Sequence, residues 1–167
     1  LLGVHHNTFT DSSGIVSTTL SQTAYIEDCF GHWRQYMSTP DRAEDTPFPT
    51  KVKMLTLHHP DMSDARAPAA EVLANHKRGY RRGVGELLWI CRNTMPELAP
   101  AAAFLSRMVS APSNEAFEAM MHAFRYAYTH RKDGITYRSS ASIEPELFVD
   151  ASNKPDPRDG KCLGGHV

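Results

Sequence analysis

Apolar positions along this chain recur with two different periods, and the places where the period changes divide it into segments. Residues 1 to 20 read as a β-hairpin. An apolar segment starting at Leu1 runs to Phe9, the turn formers Asp11-Ser12-Ser13-Gly14 follow, and the β-branched Ile15, Val16, Thr18 and Thr19 resume extended structure. Ser21 then stands where a helix N-cap is expected. Tyr25, Ile26, Cys29, Phe30 and Trp33 fall at helical spacing on one face, and that helix should end near Gly31 or shortly after it.

Residues 38 to 68 break the periodicity, because Pro40, Pro47, Pro49, Pro60 and Pro68 interrupt it and Asp41, Glu44 and Asp45 cluster among them. This stretch reads as loop or linker, with Val52 to Leu57 extended. Helical spacing returns from Ala69 and is strongest in Val84, Leu87, Leu88, Ile90 and Cys91. Leu98, Ala101, Ala102, Leu105, Met108 and Val109 make a second stripe, and Phe117, Met120, Met121, Phe124 and Tyr128 a third. Pro96 followed by Pro100 predicts that the second of these helices starts late or bends. The third has the clearest ends: Ser113 as cap, Glu115 and Glu118 near its positive end, and His130, Arg131 and Lys132 near its negative end before Gly134. Beyond Gly134, Ile135-Thr136-Tyr137 and Leu147-Phe148-Val149 read as short strands.

Composition narrows the class without naming an activity. A chain of 167 residues with 41% hydrophobic and 22% charged side chains can build one ordinary globular core. Lys plus Arg number 18 against 19 Asp plus Glu, so bulk charge alone would not coat a nucleic acid, although a local basic patch would still hold one. Cys29, Cys91 and Cys162 are odd in number and far apart, which favours a reducing compartment over a disulfide framework. No apolar run nears the roughly 20 residues that cross a bilayer, and the first residues lack the pattern of a signal peptide, so neither a membrane span nor secretion is expected. Both ends fall within strand-like patterns and read as cut.

Few motifs carry chemistry on their own. The pairs His5-His6 and His58-His59 and the couplet Cys29-x-x-His32 invite a zinc reading, but Cys29 belongs to an apolar helix face and four converging ligands are not evident. Gly83-Val84-Gly85 lacks the third glycine and the preceding strand of a dinucleotide site. His76, Lys77, Arg78, Arg81 and Arg82 form a basic cluster before the apolar run at Val84, with Arg92 after it, and such a cluster is either a phosphate contact or a solvated helix face. Asp150 ends an apolar strand pattern, where a carboxylate either ligates a hard cation such as magnesium or starts a turn.

Taken in order, these segments resemble the pol polyprotein of copia-type long-terminal-repeat retrotransposons, from the end of the reverse transcriptase palm through the thumb and connecting helices into the start of ribonuclease H. Leu1-Leu2-Gly3-Val4 resembles the family's Phe-Leu-Gly-Ile/Val strand, and Leu20-Ser21-Gln22 with Tyr25-Ile26 its Leu-Ser-Gln-x-x-Tyr-Ile helix start. Tyr80-Arg81, Val84-Gly85 and Leu87-Leu88-Trp89-Ile90 are similar to Tyr-Arg-x-x-Val-Gly-x-Leu-x-Tyr-Leu. Thr94-Met95-Pro96-Glu97-Leu98-Ala99 resembles the Thr-Arg-Pro-Asp-Ile-Ala box, and Leu105-Ser106-Arg107-Met108 its Leu-Ser-Arg-Phe continuation. Ala119 with Arg125-Tyr126, Gly134-Ile135 with Tyr137, and Phe148-Val149-Asp150-Ala151 resemble the motifs that follow, the last being the Tyr-Ser-Asp-Ala opening of ribonuclease H. Met95, Ala116-Phe117 and Met121-His122 depart from the family's Arg, His-Trp and Lys-Arg, which removes positive charge.

The resemblance implies an α+β fold, incomplete at both ends: a β-hairpin, a small thumb-like or connection-like helical bundle, then the first strands of a ribonuclease H-like α/β unit. The corresponding segments are 1–37 (end of palm and first thumb helix), 38–68 (Pro-rich linker), 69–133 (thumb and connection helices) and 134–167 (start of ribonuclease H). It further implies a role in RNA-directed DNA synthesis, with primer-template and RNA-DNA hybrid as partners beside the remaining palm and ribonuclease H segments. The expected location is cytoplasmic and particle-associated, compatible with a nuclear stage. Leu2, Gly3, Lys77, Arg78, Arg81, Arg82 and Arg125 would contact nucleic acid, and Asp150 would be the first ribonuclease H carboxylate and a Mg2+ ligand. The polymerase Tyr-x-Asp-Asp motif and the other ribonuclease H carboxylates are absent from this sequence, so no turnover is expected of the chain alone. A second reading is a non-enzymatic remnant, decayed or host-transcribed, without specific binding. The lost basic positions favour it, and the intact apolar stripes weigh against advanced decay.

Overall fold

The structure is a computed structural model that describes residues 3–49, 69–139, 149–151 and 164–166. It is α+β, with a three-stranded antiparallel sheet and five α-helices among these residues. Strands β1 (His5–Thr10) and β2 (Val16–Ser21) form the expected hairpin, with Thr10 opposite Val16 and His5 opposite Ser21. Asp11 closes the turn: its Oδ1 accepts from the amides of Ser13 (2.8 Å) and Ile15 (3.0 Å). Two expectations need correction. The first strand begins at His5, after Gly3 and Val4, and Ser21 is still paired in β2, so the residue before the helix is Gln22, which makes no side-chain cap bond.

The third strand, β3 (Ile135–Arg138), returns after all five helices and pairs antiparallel with β2, giving the order β1-β2-β3. The unit expected to open at residue 134 therefore gives its first strand to the N-terminal sheet. Gly134 makes this join possible, because a Cβ there would collide with the carbonyl oxygen of Leu20. Strands β4 (Val149–Ala151) and β5 (Gly164–His166) pair separately, with Asp150 opposite Gly165.

The helices are α1 (Thr23–Trp33, extended by one 3-10 turn at Arg34–Tyr36), α2 (Ala69–Lys77), α3 (Tyr80–Asn93), α4 (Ala99–Ser106) and α5 (Asn114–Thr129). The predicted stripes form the core: Ile26, Cys29, Phe30 and Trp33 of α1 meet Val84, Leu87 and Ile90 of α3 and Phe117, Met120 and Phe124 of α5. Leu88 is 40% exposed, because one residue on from Leu87 it turns 100° away from the core. Pro96–Leu98 form a separate 3-10 turn and α4 starts at Ala99, so Pro100 sits in a first turn where its missing N–H is no loss. The Ser113 hydroxyl accepts from the amide of Ala116 (3.2 Å) as the expected cap of α5. That helix buries Ala119 through Ala127 without a break, so it runs through the core, and a polar side chain within that run needs a partner.

Candidate functional site

The basic cluster lies at the corner between α2 and α3. Gly79 makes the corner: it takes φ +92°, a left-handed conformation that L side chains rarely adopt, and leaves only two residues between the end of α2 and the start of α3. His76, Lys77, Arg78, Arg81 and Arg82 are all exposed there. Their surroundings differ. The guanidinium of Arg78 lies 5.4 Å above the Phe117 ring and donates to Oδ1 of the buried Asn75 at 3.4 Å. Arg82 Nε donates to Glu86 Oε1 (2.7 Å), while Glu86 Oε2 accepts from the indole N–H of buried Trp33 (2.6 Å). The bond to Glu86 raises the pKa of Arg82 and fixes its head. Lys77 and Arg81 make no ion pair among the described residues and are the cations most open to an external phosphate. Arg92 is eleven residues along α3, about 16 Å away, and does not join the corner.

The other expected site residues are placed elsewhere. Gly3 takes φ +78° and packs its Cα region against Tyr25. Leu2 lies outside the described residues. Asp150 is in β4, opposite Gly165, and nothing further is described of its side chain. Magnesium takes about six oxygen ligands, and one carboxylate supplies too few of them. Among the described residues no group of three or more His, Cys, Asp or Glu side chains is assembled to hold a metal. Cys29 is buried in the core, where burial first and then the charge of Glu86 push its thiol up to about 12, and His32 packs edge-on against Trp33.

Arg125 is placed away from solvent. It is 8% exposed, and its Nε donates to Glu44 Oε1 at 2.9 Å. The same oxygen is approached by Arg42 Nε at 3.5 Å and His122 Nδ1 at 3.4 Å. The Glu44 amide donates to Thr129 Oγ1 (3.3 Å), and His122 Nε2 lies 2.8 Å from the Thr46 carbonyl oxygen. An open cleft of about 700 Å³ adjoins this cluster, with Asp45, Glu115 and Glu118 among its lining. The sequence reading treated Glu44 as part of an acidic linker and His122 as a lost cation. Helical spacing gave no signal, because Glu118, His122 and Arg125 fall on one face of α5 that reads as solvated in the sequence.

The chain is 30% identical over 88 residues to the transposon Ty5-1 protein of Saccharomyces cerevisiae. This similarity points to a retrotransposon origin. The matched region is 53% of this chain and 29% of that protein, so the chain spans less than a third of the relative's length. No family model matches the chain, and no solved structure does. No helix among the described residues is long and apolar enough to cross a membrane.

Proposed function

We propose that this chain is a piece of a copia-type retrotransposon reverse transcriptase and ribonuclease H polyprotein that supports primer-template binding and does not catalyse by itself. The observation that carries the reading is the identity with the transposon Ty5-1 protein, and the ordered motifs of the sequence extend it to the palm, thumb and ribonuclease H boundaries. In this reading Lys77 and Arg81, with Arg78 and Arg82 beside them, meet the sugar-phosphate backbone of a duplex, and Leu2 and Gly3 would contact the primer. Contacts of this kind position a duplex without reading its sequence. Asp150 would be one magnesium ligand of the whole polyprotein, where the metal would polarise a phosphoryl oxygen. Arg125 is left out of the interface, because Glu44 neutralises it inside the fold.

The test is binding of the full chain to two unrelated DNA duplexes and an RNA-DNA hybrid, each with magnesium. Equal affinity for the two duplexes, falling steeply with salt, and no extension or cleavage above background are the expected results. Sequence-dependent binding, the absence of binding at low salt, or turnover on either nucleic acid would contradict the reading.

A further inference from the structure

The cations at the corner between α2 and α3 are held in three different ways. The heads of Lys77 and Arg81 are exposed and make no ion pair among the described residues, so whatever they bind must order them. Arg82 is ordered, but by a carboxylate: Glu86 accepts its Nε–H at 2.7 Å and cancels part of its charge. Arg78 is ordered by neutral groups, and no carboxylate pairs with it among the described residues.

Asn75, fully buried, sets one side of the Arg78 head. Its Nδ2 donates to the Pro112 carbonyl oxygen (3.0 Å) and to Asn114 Oδ1 (3.2 Å), which fixes the way the amide points. Oδ1 is thereby left to accept from Nη1 of Arg78 at 3.4 Å. Phe117 sets the other side. Its ring is buried and met edge-on by Trp33 and Tyr36, and the Arg78 guanidinium lies over it, 5.4 Å from the centroid. An amide oxygen and a ring face attract a guanidinium without neutralising it, and Arg78 stays exposed to solvent.

We infer that Arg78 is the preorganised phosphate anchor of this corner, with Asn75 and Phe117 as its positioning residues. The inference rests on the nucleic-acid reading above and adds a division of roles to it. Lys77 and Arg81 supply mobile charge, whereas Arg78 presents a planar fork, already ordered, that grips one phosphate through two N–H groups. A side chain ordered beforehand loses less freedom on binding, so disturbing its fork or its support costs affinity even where the charge is kept.

The test is duplex binding by the full chain over a salt series, for the wild type and for Arg78→Lys, Arg81→Lys and Phe117→Leu. All three variants keep the number of cations, so the log-log salt slope should stay that of the wild type. Arg78→Lys and Phe117→Leu should each weaken binding about two- to tenfold, the range for ordering one long side chain, and Arg81→Lys less than about twofold. Equal losses for Arg78→Lys and Arg81→Lys, or no loss at Arg78, overturn the anchor and leave the nucleic-acid reading standing. No duplex binding by the wild type overturns that reading and the anchor with it. If Phe117→Leu does not fold, the two lysine variants decide, since both positions are exposed. Without any ligand, NMR relaxation of the arginine Nε–H groups should give Arg78 a higher order parameter than Arg81, and equal values overturn the preorganisation.

Discussion

Glu86 does more for the structure than either arginine beside it. It is the hydrogen-bond acceptor of the fully buried Trp33 indole, and Arg82 neutralises its other oxygen from the solvent side. Removing the acceptor leaves a buried N–H unpaired, so Glu86→Ala should cost about 1–3 kcal/mol in urea unfolding. Arg82→Ala removes an exposed i,i+4 partner and should cost about 0.5 kcal/mol or less. Arg81→Ala should leave stability unchanged to within about 0.5 kcal/mol, because its head makes no ion pair among the described residues. Arg81 and Arg82, which read alike in the sequence, thus differ once their partners are known. The periodicity that places Trp33 in the core does not show that its indole N–H needs an acceptor 53 residues away.

At the scale of elements, the apolar stripes of α1, α3, α4 and α5 were legible because helical spacing is local, as were the hairpin turn and the Ser113 cap. Long-range pairing was not legible. Residues 41–49 lack periodicity because of their prolines, and the buried Glu44 pairs with Arg125, 81 residues later. The strand at Ile135–Arg138 was correct in type, but its partner, β2, lies across the whole helical set. Gly134 carries that join, and Gly134→Ala would drive a Cβ into the Leu20 carbonyl, a backbone atom that moves only with β2. The variant should lose about 1–3 kcal/mol, and the amides of β2 and β3 should exchange faster than those of α5. Equal exchange across sheet and helices would show that the sheet does not depend on this contact.

At the scale of the whole molecule, α1, α3, α4 and α5 share one core, and the sheet is joined to it through the start of α1 and the end of α5. Strand β1 is exposed along its length, and Phe9 and Tyr137 stand half or more in solvent. A net charge of -1 leaves no general attraction for a polyanion, so the nucleic-acid binding proposed above would have to come from a local corner. We propose Lys77 and Arg81 as that corner. Its most direct test is the salt dependence of duplex binding for the full chain and for a Lys77→Ala, Arg81→Ala variant, with folding of both checked by circular dichroism. The variant should bind every duplex sequence more weakly, with a log-log salt slope shallower by about 0.9 for each phosphate contact removed. An unchanged slope and affinity in a folded variant would contradict it and place any nucleic-acid contact elsewhere on the molecule.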